Sequence, residues 1–208
     1  GQLPVALGAA IEVQAQVLAA RGERSAAVAF LNQELETYRG TSIHTRIQKN
    51  INLISLEGRP APELDISQWL GPQPVPLRAL QGRPVLLFFW AHWCGDCKWQ
   101  APVLDRLLKE FGPQGLAIIG PTQPYGYVSR GRQASRAEEV LYIDQVRRQF
   151  YGDLAAMPVP VSEDNFRIYG ASTTPTLVLI DAGGVVRLYH PGQMPYEQLA
   201  PRVAGLFR

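Results

Sequence analysis

The apolar residues of this chain follow helical spacing in its first quarter and form short strand-like runs after it. Helices are predicted at about residues 3–21, 25–38 and 41–56, and isoleucines recur every three or four residues along the third of them. A linker with one glycine and two prolines follows this helix. We therefore expect a helical N-terminal extension, residues 1–55, ahead of a second domain, residues 56–208.

Polar residues that commonly cap helices precede the second and the third of these segments. We expect Ser25 to cap the second helix, and Thr41 or Ser42 to cap the third. A serine or threonine hydroxyl at this position can accept a hydrogen bond from a free N–H group of the first helical turn. Gly40 is expected to end the second helix.

Short apolar runs alternate with helical patterns over the rest of the chain. Such alternation predicts an α/β fold with a parallel core, and two runs around Asp-Ala-Gly-Gly predict a hairpin that makes the sheet mixed. The predicted strands lie at residues 84–90, 116–120, 157–161, 177–180 and 185–189, and the predicted helices at 98–111, 135–151 and 196–207.

The two cysteines of the chain, Cys94 and Cys97, lie where an apolar strand ends and a helix begins. Cysteines three positions apart in a first helical turn share one face, with their Cα atoms about 5–6 Å apart, which a disulfide tolerates. The free N–H groups and the positive dipole end of the helix stabilise a thiolate, the form that attacks disulfides. The pattern indicates a redox pair with Cys94 as nucleophile and Cys97 as resolving thiol.

Three other interpretations of the cysteine pair are weaker. A structural disulfide that encloses two residues constrains little of the unfolded chain. A zinc site needs two more ligands, and His44, His92 and His190 show no paired spacing, so no metal site is predicted. Two inert buried thiols are the third interpretation.

Two separate segments resemble the thioredoxin superfamily. Residues 89–98, continuing to residues 101–105, are similar to the active-site strand and helix of thioredoxin, including the helix-kinking proline at Pro102. Residues 169–180 are similar to the loop and strand that carry the superfamily's cis-proline. The resemblance covers residues 56–208 and implies a thioredoxin fold with a mixed central sheet, a strand–helix insertion and the N-terminal helical extension.

The resemblance also implies a substrate site beside the cysteines. The Thr174–Pro175 bond is expected to be cis and close to the sulfur of Cys94. The backbone at Thr174 is expected to pair with an extended substrate segment, since a proline has no N–H to donate. Trp93 is expected to shield the site and to offer an apolar contact surface. No cofactor is implied.

Within the superfamily the chain resembles the TlpA/ResA-like branch. Residues 58–64 and 76–85 are similar to the entry segment of that branch, and the stretch between the two active-site motifs holds an extra strand–helix unit. Peroxiredoxins share this layout, but the Thr-x-x-Cys context of their peroxidatic cysteine is absent here. Two residues depart from the pattern: Phe88 replaces the buried proton-relay aspartate of thioredoxin, and Gln100 replaces a ResA-type glutamate.

The residues around the cysteines are candidates for tuning their reactivity. Gly95 and Asp96 match none of the commonest CxxC interiors. Asp96 places a second negative charge at the helix start, which is expected to raise the pKa of the Cys94 thiol and to make the site more reducing. As the nearest carboxylate that the sequence assigns to the site, Asp96 can also accept the proton of Cys97; a helix-start acid with little effect is the alternative. His92 is either a surface residue or a proton donor.

Composition and charge narrow the class of partner and the location. A formal net charge of +2 without a basic stripe argues against nucleic-acid binding. The sequence contains no apolar run of membrane-spanning length and opens on no signal peptide, while a removed signal or a membrane anchor outside the given chain is compatible with it. The TlpA/ResA-like resemblance implies a periplasmic or extracytoplasmic bacterial protein, although cysteines confined to one site also fit a cytoplasmic one.

The sequence thus predicts a thiol–disulfide oxidoreductase that exchanges electrons with protein disulfides, and with an electron-donor protein, through a mixed disulfide at Cys94. Two alternatives stay open: a non-catalytic thioredoxin-fold binding module and a thiol peroxidase. Because the N-terminal helices carry no cysteine, we expect them to be dispensable for the chemistry and to influence partner choice or oligomerisation.

Overall fold

Most helices and strands follow the order that the apolar pattern predicts, but the short strand Trp69–Leu70 and the helix Glu163–Tyr169 were not predicted. The computed structural model describes residues 1–207; Arg208, the last residue of the predicted second domain, lies outside the described residues. The helices are α1 (Val5–Ala20), α2 (Arg24–Thr37), α3 (His44–Ser55), α4 (Gly95–Phe111), α5 (Arg136–Phe150), α6 (Glu163–Tyr169) and α7 (Tyr196–Ala204). The strands are β1 (Trp69–Leu70), β2 (Val85–Phe89), β3 (Ala117–Ile119), β4 (Val159–Pro160), β5 (Thr176–Ile180) and β6 (Val186–Pro191).

A four-stranded mixed sheet, in the order β3–β2–β5–β6, forms the centre of the fold. β3 runs parallel to β2, whereas β5 runs antiparallel to both β2 and β6, so the predicted hairpin and the mixed sheet are confirmed. All five residues of β2 are buried, as expected for a central strand with both faces covered. The cysteine segment therefore leaves the sheet from a fully buried central strand.

Alternate side chains of β2 point to opposite faces of the sheet and enter two apolar clusters. Phe88 belongs to the cluster that α4 and α7 cover, and Phe89 to the cluster that contains residues of α6. The Phe88 ring lies 5.9 Å from the ring of Tyr151 in an edge-to-face arrangement. Phe88, at the position of thioredoxin's buried aspartate, is thus a packing residue.

The insertion between β3 and β5 contains α5, β4 and α6. The predicted helix from about Ser135 is confirmed: Ser135 caps α5, and its hydroxyl accepts a hydrogen bond from the N–H of Glu138 at 3.3 Å. β4 pairs antiparallel with β1 in a small second sheet. A parallel bridge joins Thr122 to Val161. These contacts fix the insertion beside the end of β2 that leads to the cysteines.

The three N-terminal helices enclose an apolar cluster of their own, and α3 also packs against α6. Asn52 in α3 donates a 3.3 Å hydrogen bond from Nδ2 to the carbonyl of Ile168. Gly170, with φ of +61°, ends α6 so close to α3 that a Cβ there would collide with the backbone of Lys49. The extension is therefore docked on α6 and on the start of the following loop.

The predicted caps of the second and third helices are wrong. Ser25 lies inside the first turn of α2, and α3 begins after Ile43 without a side-chain cap. The Ser42 hydroxyl instead accepts a hydrogen bond from the N–H of Leu3 at 2.9 Å, and the Thr41 hydroxyl donates to a carbonyl at the end of α2. Ser42 thus holds the start of the chain, whereas Thr41 closes the turn after α2.

Candidate active site

The two cysteines form the start of α4, where Cys94 is the N-cap residue and Cys97 lies in the first turn. They are joined by a disulfide with a Cα–Cα distance of 5.3 Å, inside the predicted range. The Cys94 sulfur accepts a 3.0 Å hydrogen bond from the N–H of Cys97, one of the free donors of the helix start. Cys94 keeps a small exposed area whereas Cys97 has none, so an incoming sulfur has a path to Cys94.

A loop with a cis-proline faces the disulfide. The Thr174–Pro175 bond is cis, as predicted, and the carbonyl oxygen of Thr174 lies 3.4 Å from the Cys94 sulfur. A disulfide sulfur has no hydrogen, so this contact becomes a hydrogen bond when Cys94 is a thiol. The Thr174 hydroxyl is buried and has no hydrogen-bond partner among residues 1–207. This loop therefore presents a carbonyl oxygen at the Cys94 sulfur.

Two tryptophans form an apolar surface around the start of α4. Trp93 is 50% exposed and Trp99 is 47% exposed. Trp93 packs edge-to-face against Tyr125 from the insertion, with ring centroids 5.4 Å apart. Burial raises the pKa of Tyr125, so its ring meets Trp93 as a neutral phenol. The insertion therefore supports the orientation of the tryptophan next to Cys94.

His92 is buried, so its interpretation as a surface residue is wrong. Its Nε2 lies 3.1 Å from a carboxylate oxygen of Glu139, and the rings of three tyrosines surround it. Burial lowers the pKa of His92, and the hydrogen bond to Glu139 opposes that shift. A hydrogen bond to the backbone of Tyr127 opposes the shift as well. Burial thus favours the neutral ring, in which a hydrogen on Nε2 would donate to the Glu139 carboxylate.

Glu139 is a residue of this site that the sequence alone did not identify. Its fully buried carboxylate also accepts hydrogen bonds from the N–H groups of Tyr125 and Gly126, at 2.6 and 2.7 Å. Glu139 is thus a buried acid that the insertion supplies next to His92, whereas Phe88 places none at the position of thioredoxin's aspartate. The sequence did contain a sign that Glu139 is buried. Ile143 and Val146 follow it by four and seven residues, so the three side chains share one face of α5.

The remaining predicted residues differ in burial. Gly95 and Asp96 are both exposed in the first turn of α4. Gln100 is buried, and its amide donates to the carbonyl and accepts from the N–H of Met194, at 3.0 and 2.8 Å. An ionised glutamate could accept but not donate, which gives a physical reason for the amide at this position.

Among residues 1–207, no group of three or more histidine, cysteine, aspartate or glutamate side chains is arranged to hold a metal ion. No helix in the same range is long and apolar enough to cross a bilayer.

A CxxC disulfide at a helix start that faces a cis-proline, on a mixed sheet of this topology, defines the class of thiol–disulfide oxidoreductases. A family model described as "AhpC/TSA family" matches residues 58–189, which is more than half of the chain. The chain belongs to this family.

Known proteins of similar sequence and structure are named for thiol–disulfide exchange. The chain is 27% identical over 157 residues to the thiol:disulfide interchange protein DsbE of Xylella fastidiosa, covering 73% of this chain and 72% of that protein. A crystal structure of a putative DsbE from Chlorobium tepidum matches with a TM-score of 0.58 and 24% identity, over 73% of this chain and 98% of that one.

A second solved structure is the pneumococcal exposed lipoprotein thioredoxin Etrx1 of Streptococcus pneumoniae. It matches with a TM-score of 0.50 and 26% identity, over 63% of this chain and 90% of that one. The predicted thioredoxin fold and the resemblance to thiol–disulfide oxidoreductases are thereby confirmed. The chain is a thiol–disulfide oxidoreductase with protein thiols and disulfides as its substrate class.

Proposed function

We propose that Cys94 is the nucleophile and Cys97 the resolving thiol of this exchange. The Cys94 thiolate attacks one sulfur of a substrate disulfide, and the displaced sulfur leaves as a thiolate that takes up a proton. Cys97 then loses its proton and attacks the Cys94 sulfur, which breaks the mixed disulfide and releases the second substrate thiol. Two electrons pass from the dithiol to the substrate, and oxidation of a substrate follows the same steps in reverse.

The hydrogen bond from the N–H of Cys97 to the Cys94 sulfur carries this proposal. It supports Cys94 as the nucleophile, because one of the free N–H donors at the start of α4 already bonds this sulfur, where the helix dipole favours a negative charge. The greater burial of Cys97 supports the assignment, because a bulky substrate disulfide has no access to it.

The substrate is proposed to bind across Trp93 and the loop at Thr174 and Pro175. Trp93 offers an exposed apolar face directly before the nucleophile. The Thr174 carbonyl is already within 3.4 Å of the Cys94 sulfur, so a substrate sulfur that bonds to Cys94 has to lie beside it.

Gly95, Asp96 and His92 are proposed to set the acid–base properties of the cysteines. Gly95 leaves the solvent side of the first turn open, since a Cβ there would meet nothing within 4 Å. Asp96 adds negative charge at the helix start and opposes thiolate formation. His92, held by Glu139, is proposed to assist proton transfer; its neutral form has a ring nitrogen that can accept a proton.

The test is to count free thiols and to measure reduction of a protein disulfide in the same preparation. We expect no reactive thiol in the oxidised protein and two after treatment with a dithiol, together with reduction of a generic protein disulfide. Replacement of Cys94 by serine should abolish this reduction. Two reactive thiols without turnover would favour the binding-module alternative. Faster thiol-dependent consumption of peroxide than of disulfide would favour the peroxidase alternative.

A periplasmic or other extracytoplasmic location is proposed, with an electron-donor protein that returns the pair to the dithiol state. The description of the pneumococcal relative as an exposed lipoprotein supports a site outside the cytoplasm. Attachment to a membrane would need an anchor outside the given chain. A cytoplasmic role is the alternative, and alkylation of the thiols in intact cells by an impermeant reagent would distinguish the two.

Residues 1–55 and 56–208 are proposed as the helical extension and the catalytic domain. The separate apolar cluster of the first three helices supports this division. The N-terminal helices are proposed to contact a partner of the enzyme.

A further inference from the structure

The N-terminal helices form one wall of a cavity that begins at the cis-proline loop. Its volume is about 470 Å³. The loop contributes the exposed residues Ser172 and Thr173. The opposite wall comes from α1, α3 and the segments before them, and includes Leu3, Val5, Glu12, Arg46 and Lys49.

This cavity is a short distance from the reactive sulfur along the loop. The carbonyl of Thr174 lies 3.4 Å from the Cys94 sulfur, and Thr173 is the next residue back along the chain. An extended chain advances about 3.3 Å per residue. A substrate segment that lies along this loop would therefore carry a side chain into the cavity two or three positions from its attacked cysteine.

The extension is held rigidly enough to form part of such a site. Gly170 packs against the backbone of Lys49 without space for a Cβ. The N–H of Leu3 is held by the Ser42 hydroxyl, which fixes the start of the chain against α3. The wall and the loop therefore belong to one packed unit.

The charged groups of the cavity favour an acidic side chain. Its lining contains two cations, Arg46 and Lys49, and one carboxylate, Glu12. The two carboxylate oxygens lie 2.8 Å from a guanidinium nitrogen of Arg46 and 3.1 Å from the Nζ of Lys49. One positive charge is thus left without a counter-charge in the lining. Val5 is 75% exposed at the edge and offers an apolar contact to the stem of a longer side chain.

We propose that this cavity binds the segment beside the attacked cysteine of a protein disulfide and selects an acidic residue two or three positions from that cysteine. The N-terminal extension then determines substrate specificity and takes no part in the bond exchange itself. The inference rests on the proposed role of Cys94 as the nucleophile.

The test uses two disulfide-linked peptides that differ in glutamate or lysine at the second and third positions from the cysteine. For the wild-type protein, kcat/KM should be roughly two- to fivefold higher for the glutamate peptide, the range expected of partly exposed charge pairs. Val5→Glu should bring this ratio towards one, and Val5→Lys should increase it. Val13→Glu is the matched control, because Val13 is exposed on the same helix but does not line the cavity. Its ratio should equal that of the wild type.

Equal rates on the two peptides, or a ratio that shifts in the same direction in both Val5 variants, would overturn the proposal. A small uncharged disulfide separates this outcome from failure of the cysteine chemistry. The wild type and Val13→Glu should reduce it at the same rate, because it does not reach the cavity. If the wild type fails to reduce even this compound, the proposed role of Cys94 and the specificity of the cavity both fail.

Discussion

Cys94 is surrounded by groups that act on its charge in opposite directions. The N–H of Cys97 donates to its sulfur, whereas the exposed Asp96 carboxylate adds a like charge to the same helix start. Behind this turn, His92 and Glu139 form a buried hydrogen-bonded pair. At the residue scale, we therefore propose that the reactivity of Cys94 is a balance between a helix start that favours the thiolate and an aspartate that disfavours it.

Asp96→Asn should lower the pKa of the Cys94 thiol and raise the reduction potential. Two like charges at roughly 6–7 Å repel by about 0.6 kcal/mol in water and by about 2–3 kcal/mol at an effective dielectric of 20. Because Asp96 is exposed, we expect the lower end, a shift of about half a pKa unit. Thiolate absorbance against pH gives the pKa, and equilibrium with glutathione gives the potential. Asp105→Asn, further along α4, is the control; an unchanged or higher pKa in Asp96→Asn would remove the electrostatic explanation.

Glu139→Gln should lower the pKa of His92 further, because it removes the carboxylate that opposes the effect of burial. It should also cost about 1–3 kcal/mol of unfolding free energy, since the amide cannot accept all three hydrogen bonds. NMR titration of the His92 ring and urea unfolding measure the two effects. Glu138→Gln removes the neighbouring, partly exposed carboxylate and should change neither. A rise in the pKa of His92 would contradict this account.

At the scale of elements, the site is assembled where β2 ends, α4 begins and the insertion covers the turn. Glu139 in α5 bonds both to His92 before α4 and to the loop at Tyr125 and Gly126. One carboxylate thus joins two elements that are distant in sequence. On the other side, α6 and Gly170 connect the extension to the cis-proline loop.

Gly170→Ala should loosen the docking of α3 on α6. Any L-residue at positive φ costs about 1–2 kcal/mol, and at Gly170 the new Cβ would also collide with the backbone of Lys49. Gly40→Ala is the matched control, since Gly40 has φ of +71° but a Cβ added there would meet nothing within 4 Å. We expect the loss of unfolding free energy in urea to be larger at Gly170. Equal losses would show that the close approach to α3 contributes nothing.

For the whole molecule, local sequence was sufficient to predict most of the elements and the cysteine pair, because these depend on residues that are neighbours along the chain. The short elements β1 and α6 were not predicted, and the cis bond before Pro175 was predicted from the resemblance to the thioredoxin superfamily. The partners of Ser42, His92 and Glu139 could not be predicted, because each lies in a distant element that only the folded chain brings close. The same holds for the cavity between the extension and the loop.

Removal of residues 1–55 should leave reduction of a small disulfide intact, because both active-site motifs lie after the linker. It should also lower thermal stability, since α6 loses the covering helix α3. A variant that lacks only α1 and α2 is the control. Its melting temperature should be higher than that of the protein without residues 1–55. Activity is compared below the melting temperature of each protein. Loss of small-disulfide reduction in a truncated protein with native circular dichroism would contradict the division of roles.

The most direct test of the central claim is to trap the mixed disulfide. Cys97→Ser keeps the proposed nucleophile and lacks the thiol that resolves the intermediate, whereas Cys94→Ser lacks the nucleophile. After reaction with a protein disulfide, mass spectrometry should find Cys97→Ser covalently bound to the substrate through Cys94, and Cys94→Ser unbound. A stable adduct through Cys97 in Cys94→Ser, with none through Cys94 in Cys97→Ser, would contradict the account.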